Sequence, residues 1–181
     1  KSGAEMEKLR QLMEASTALN STLDLGRLLD IILETALKSV DGDRGTVYLV
    51  DRTKEELWSI ILRGKQQVTI RLPIGRGIAG YVAASGDTLN IPDAYLDPRF
   101  NPDIDKQTGY RTTTILCMPM RNKDGKIIGV FQLLNKRAGP FTADDENFIA
   151  ALSTHASLAI ENARLYGEEK ALAGIREEVR L

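Results

Sequence analysis

Cysteine and histidine each occur once, at Cys117 and His155, and that scarcity removes whole classes of chemistry. One thiol allows no disulfide within the chain, and no His or Cys cluster exists to hold zinc. Cys117 falls in an apolar strand pattern and reads as a buried, inert residue. His155, in the helical context Ser-Thr-His-Ala-Ser, reads as a part-buried helix residue rather than a general base. With no set of acid, base, nucleophile or metal ligands, the chain is expected not to be an enzyme. No apolar run approaches the roughly 18 residues that span a bilayer, and no signal-peptide pattern is present. Lys and Arg total 24 against 25 Asp and Glu, without a basic run, so a nucleic-acid footprint is not expected. The expectation is a soluble, cytoplasmic, reducing environment with no membrane contact in this stretch. A start at Lys1 rather than Met reads as a piece cut from a longer protein.

What is present suffices for one core. A chain of 181 residues, 43% hydrophobic, buries about 70% of its unfolded surface, enough for one domain plus appendages. From Glu5 to Leu19 the apolar positions Met6, Leu9, Leu12, Met13 and Leu19 follow an approximate helical period. Asn20-Ser21-Thr22 interrupts it. Asp24 is expected to cap a second helix with the buried stripe Leu25, Leu28, Leu29, Ile32, Ala36 and Val40, ended by Asp41-Gly42-Asp43. Then the period falls to two. Thr46–Val50, Leu57–Leu62 and Val68–Pro73 are three strands with short polar links, an antiparallel meander.

Gly75-Arg76-Gly77-Ile78-Ala79-Gly80 follows. The spelling matches the dinucleotide fingerprint, but that fold needs alternating strand and helix units, whereas this chain is strand-rich in the middle and helical at its ends. Glycines at a helix start still expose orphan N–H groups at the positive end of the helix dipole, a natural phosphate seat. A plain tight corner is the other reading.

About twenty polar residues, Asp93 to Thr112, separate Leu89-Asn90-Ile91-Pro92 from the strand at Ile115–Met120, where connections usually take about four to six. Such a segment suits a lid. Its acids Asp93, Asp97, Asp103 and Asp105 are explained for the most part by a solvated polar face. Two aliphatic strands follow, joined by Asn122-Lys123-Asp124-Gly125, with Asp-Gly suited to a tight hairpin. Next come Asn135-Lys136, then Phe141 and, after three residues, Asp145-Glu146, with Thr142 and Asp145 spaced as a capping box.

This order, Asn-Lys, a spacer, Phe, any three, Asp-Glu, resembles the signature of cyclic-nucleotide-binding GAF domains, the sensor modules of phosphodiesterases and bacterial adenylate cyclases. Leu89–Tyr95, Thr108–Thr112 and Ile115–Pro119 resemble the same subfamily, and the likeness covers roughly Leu23 to Tyr166. It implies an α+β GAF fold: a central antiparallel sheet of about six strands, terminal helices on one face, pocket and lid on the other. The same resemblance implies a site. Backbone N–H groups of Ile78, Ala79 and Asn101 would hold a cyclic phosphate, Thr108 and Thr112 would donate hydroxyls to phosphate and ribose, and Leu62 and Arg63 would meet the base, with Thr46 and Gln132 completing the purine edge. Ordinary strand roles stay open for Thr46 and Leu62. Lys136 and Asp145 would pair and brace the lid from outside; as an exposed pair they would contribute about 0 to 1 kcal/mol.

Arg63 only donates, while Gln132 and Thr46 accept from an adenine amino group, so cAMP is favoured over cGMP, although guanine O6 and N7 also accept from Arg63. No covalent cofactor is expected. The last helix is expected to run about 40 residues to Leu181, its distal Leu158, Leu165, Leu172 and Val179 forming a parallel coiled coil. The organisation expected is a linker and dimerisation helix over 1–22, the GAF domain over 23–166 and a signalling helix over 167–181. Homodimerisation through the end helices would relay occupancy to a linked effector. The competing reading is a GAF relay module with no nucleotide, or one that senses another metabolite.

Overall fold

Strand alternation sorts the middle of the chain into two apolar layers, and the helices follow from that sorting. The computed structural model describes residues 3–20, 22, 24–63, 66–165 and 177–181. Seven strands form one sheet: β1 (Gly42–Asp51), β2 (Glu56–Arg63), β3 (Gln66–Pro73), β4 (Leu89–Ile91), β5 (Ile115–Arg121), β6 (Ile127–Lys136) and β7 (Glu177–Arg180), in the order β4-β5-β6-β1-β2-β3-β7. All pairings are antiparallel except that of β3 with β7.

Register partners share a face. Val47, Phe131 and Met118 lie abreast on one side, as do Leu49, Trp58 and Leu133 in their rows, and there they meet α1 (Gly3–Leu19), α2 (Leu25–Val40) and α5 (Ala143–Leu165). Tyr48, Val130, Cys117 and Ile115 occupy the opposite side, covered by α3 (Gly77–Ser85) and the segment leading through a 3-10 turn (Ala94–Leu96) and α4 (Asp103–Thr108). The α+β architecture, with terminal helices on one face and lid on the other, is the one expected.

Capping explains the helix limits. Asp24 accepts the Arg27 N–H, all six residues of the expected α2 stripe are buried, and Asp41 ends the helix in the left-handed region at φ 56°. At α5, Thr142 and Asp145 cap each other: the Asp145 N–H donates to Thr142 Oγ1 at 3.1 Å and the Thr142 N–H to Asp145 Oδ2 at 2.8 Å. Ala15 and Leu19 of α1 are buried in the same core as α2 and α5, so this helix is part of the domain's packing at its C-terminal end.

The C-terminal end departs from expectation. Glu177–Arg180 is not helix but strand β7, laid parallel on β3 with Val179 opposite Ile70. The outer edge of β3 offers a row of N–H and C=O groups, which pairing satisfies. The Leu181 N–H donates to Arg71 O, Arg180 pairs with Glu56, and Val179 packs on the lid-side core. Coiled-coil position Leu172 lies outside the described residues. Among the described residues, no helix is long and apolar enough to cross a membrane.

Candidate functional site

The turn from β3 into α3 uses its three glycines differently. Gly75 and Gly77 have φ of +94° and +70°, a region that penalises any side chain, and the space where their Cβ atoms would stand is open. Gly80 is a packing glycine, since a Cβ there would meet Pro73 O at 2.7 Å and Gly75 N at 3.0 Å. The Gly75 N–H closes the corner by donating to Gly80 O at 2.8 Å. Arg76 takes the N-cap position in extended conformation without a side-chain cap, so the first-turn N–H groups of α3 have no side-chain acceptor. This first turn borders a cavity of about 490 Å³ lined by Arg76, Gly77, Ile78 and Ala79 on one side and by the lid on the other. That volume is within the range of about 300–1,000 Å³ typical of small-molecule sites.

Of the nine residues expected to contact ligand, Ile78, Ala79, Asn101, Thr112 and Gln132 line this one cavity. Gln132 is half-buried on β6, opposite Thr46 on β1 and Cys117 on β5. Thr46 shares its face but is not among the cavity's lining residues; Tyr48, two residues on and on the same face, is. The Tyr48 phenol is pushed up to about 12 by burial. Thr108 is not among the lining residues either. It ends α4, exposed, with its hydroxyl donating to Ile104 O at 2.9 Å. Leu62 and Arg63 close β2 opposite Gln67 and Gln66. Their side chains lie outside the described residues.

The lid is structured by its acids. Asp105 is not a solvated residue: it is 8% exposed and lines the cavity. It accepts the Thr112 N–H at 2.8 Å, the Thr112 hydroxyl at 2.9 Å and the Tyr95 hydroxyl at 2.7 Å. Burial pushes its carboxyl upward, but those three bonds and the nearby Arg111 charge outweigh it and hold the group below the usual range. The Thr112 hydroxyl is therefore already engaged. Asp97 binds the Arg99 guanidinium at 2.6 and 2.9 Å, while that guanidinium lies 4.6 Å over Tyr81.

The Asn-Lys, Phe and Asp-Glu elements clamp both ends of this lid. Asn135, at φ 57°, accepts the Thr113 and Thr114 N–H groups at 2.6 and 3.2 Å. It donates to Arg111 O and to Tyr110 Oη, each at 2.8 Å. Tyr110 in turn donates to Asp43 at 2.7 Å; burial and that carboxylate push its phenol up to about 12. At the other end, the Asn90 side chain donates to Phe141 O at 3.0 Å and Glu146 Oε2 at 2.9 Å, fastening β4 to the start of α5. Lys136 Nζ reaches Asp145 Oδ2 at 3.0 Å and Val40 O at 2.8 Å. The expected pair is present but not exposed: its side chains are 15% and 5% accessible. Among the described residues no cluster of His, Cys, Asp or Glu is arranged to hold a metal ion.

Comparison with known proteins agrees with this geometry. A family model described as GAF domain matches residues 24–160. The chain is 40% identical over 171 residues to the dual 3',5'-cyclic-AMP and -GMP phosphodiesterase 11A of Takifugu rubripes, covering 87% of this chain and 19% of that protein. To the probable 3',5'-cyclic phosphodiesterase pde-5 of Caenorhabditis elegans it is 40% identical over 147 residues, 75% of this chain and 20% of that one. The chain thus spans about a fifth of these relatives' length. In fold it is similar to the GAF domain of a phosphoenolpyruvate-protein phosphotransferase from Coxiella burnetii (TM-score 0.75, 23% identity, 92% and 99% of the two chains). It is also similar to the free methionine-R-sulfoxide reductase of Neisseria meningitidis (TM-score 0.72, 20% identity, 92% and 95%).

Proposed function

This chain belongs to the GAF domain family, and from that premise we propose that it is a regulatory sensor that binds a cyclic nucleotide and passes occupancy to a linked effector. The observation that carries the reading is the cavity of about 490 Å³ between the first turn of α3 and the lid. A helix start with free N–H groups suits one negative charge, as on a cyclic phosphodiester. Relatives named as cyclic-AMP and cyclic-GMP phosphodiesterases support the ligand class.

The phosphate would meet Ile78, Ala79 and Asn101, and the base would lie toward Gln132 and Tyr48. Thr112 would reach ribose or phosphate only by sharing its hydroxyl with Asp105. cAMP is preferred over cGMP because Gln132 can accept from the adenine amino group, while Asp105, the one acid on the described wall, has both oxygens engaged. In a cytoplasmic parent, a homodimer through the end helices would carry the signal. Met6, Leu9 and Met13 on α1 and Leu158 and Leu165 on α5 remain exposed, which supports a partner there.

The engaged Thr112 hydroxyl and Leu181 at the cavity wall favour a second reading, a relay module without nucleotide. Mass spectrometry of whatever small molecule leaves the purified protein on denaturation, with thermal shifts in saturating cAMP and cGMP, separates the two. Released nucleotide or a shift supports the sensor. Neither, in a protein that still dimerises, supports the relay.

A further inference from the structure

We propose that Arg76 is the charge that grips the ligand's phosphate and sets affinity, in addition to the N–H groups of α3; this rests on the cyclic-nucleotide reading above. Three charged side chains stand on the described cavity wall: Arg76, Arg99 and Asp105. Two are occupied. Asp105 holds Thr112 and Tyr95, and Arg99 holds both oxygens of Asp97 while stacked on Tyr81. Arg76 makes no ion pair or side-chain hydrogen bond among the described residues.

Its position has the wrong sign for an empty protein. Arg76 is the exposed N-cap residue of α3 and lines the cavity at the positive end of the helix dipole, where an anion is favoured and a cation is not. Arginine is also a poor cap, because it has only donors to offer to a row of donors. The conflict ends when an anion sits between guanidinium and helix. The glycines on either side leave room for that anion, since nothing lies within 4 Å of where their Cβ atoms would be. A neutral small metabolite would leave the repulsion in place; a phosphodiester removes it.

The test is titration of the full chain with cAMP and with cGMP at about 50 and 500 mM salt, in wild type, R76Q and R76K. Loss of one charge-assisted contact from an exposed side chain weakens R76Q by about 5- to 20-fold at low salt. The deficit shrinks to about 2-fold at high salt, where screening has already weakened the wild type. R76K, which keeps the charge but not the planar fork, stays within about 3-fold of wild type. Both nucleotides weaken alike, since they share the phosphate, and ligand-free R76Q melts no lower than wild type. If wild type binds and R76Q binds equally well with the same salt dependence, the role of Arg76 is overturned and the sensor reading stands. If R76Q changes the cAMP to cGMP ratio or melts lower, Arg76 acts on the base or the fold and the inference fails. If wild type binds neither nucleotide, the functional reading itself fails.

Discussion

Replacing Asp145 by alanine removes the anion from a pair that is nearly out of water. Lys136 Nζ lies 3.0 Å from Asp145 Oδ2, and the same oxygen accepts the Thr142 N–H that begins α5. Breaking a buried pair from one side costs about 3–5 kcal/mol, because the remaining charge is left uncompensated. Lys136 keeps one partner, the Val40 carbonyl at 2.8 Å, so the lower end of that range applies, about 3 kcal/mol. For a chain of 181 residues this lowers the melting temperature by about 6–12 °C. Urea denaturation of wild type, D145A, K136M and the double variant measures it, and the coupling in that cycle isolates the pair from the cap. D145N, which keeps an acceptor for Thr142, should fall between wild type and D145A. A loss below about 1 kcal/mol, the value of an exposed pair, would refute the claim that the pair is buried and braces the lid.

Two further substitutions probe the lid and the turn. Asp105 is held below its unfolded value, so its contribution is fully present above about pH 3.9 and is lost as pH falls through the lower folded value. D105N should therefore unfold at lower urea concentration at pH 7 than wild type, with the gap narrowing toward pH 2; parallel pH profiles would refute the clasp. G80A places a methyl 2.7 Å from Pro73 O, backbone that cannot swing aside. It should cost about 1–3 kcal/mol in urea and weaken nucleotide binding with it, and an unchanged midpoint would show that the corner is loose.

Much of this arrangement was legible where chemistry is local. The α2 stripe, the Asp24 cap and the Thr142–Asp145 box follow from spacing along a few residues, and the Lys136–Asp145 pair from the family resemblance. The site was less legible where depth along a strand matters. Alternation gives Thr46 and Tyr48 the same face, and only the assembled sheet shows that Tyr48 borders the cavity. Asp105 looked like one more acid on a polar face because its partners, Tyr95 and Thr112, are recruited by the path of the lid. The surroundings of Thr108 were hidden for a related reason: Gly109 at φ 76° and the first-turn acids make them a helix, not an open loop. At Val179 the sevenfold leucine spacing fits a coiled coil, yet the unpaired edge of β3 is a tertiary feature that no local pattern records.

Calorimetric titration of cAMP and of cGMP into the purified chain addresses the cavity most directly. Saturable binding of one nucleotide per chain, tighter for cAMP, is the predicted result. Absence of heat with both nucleotides, in protein shown by mass spectrometry to carry no small molecule already, would contradict it.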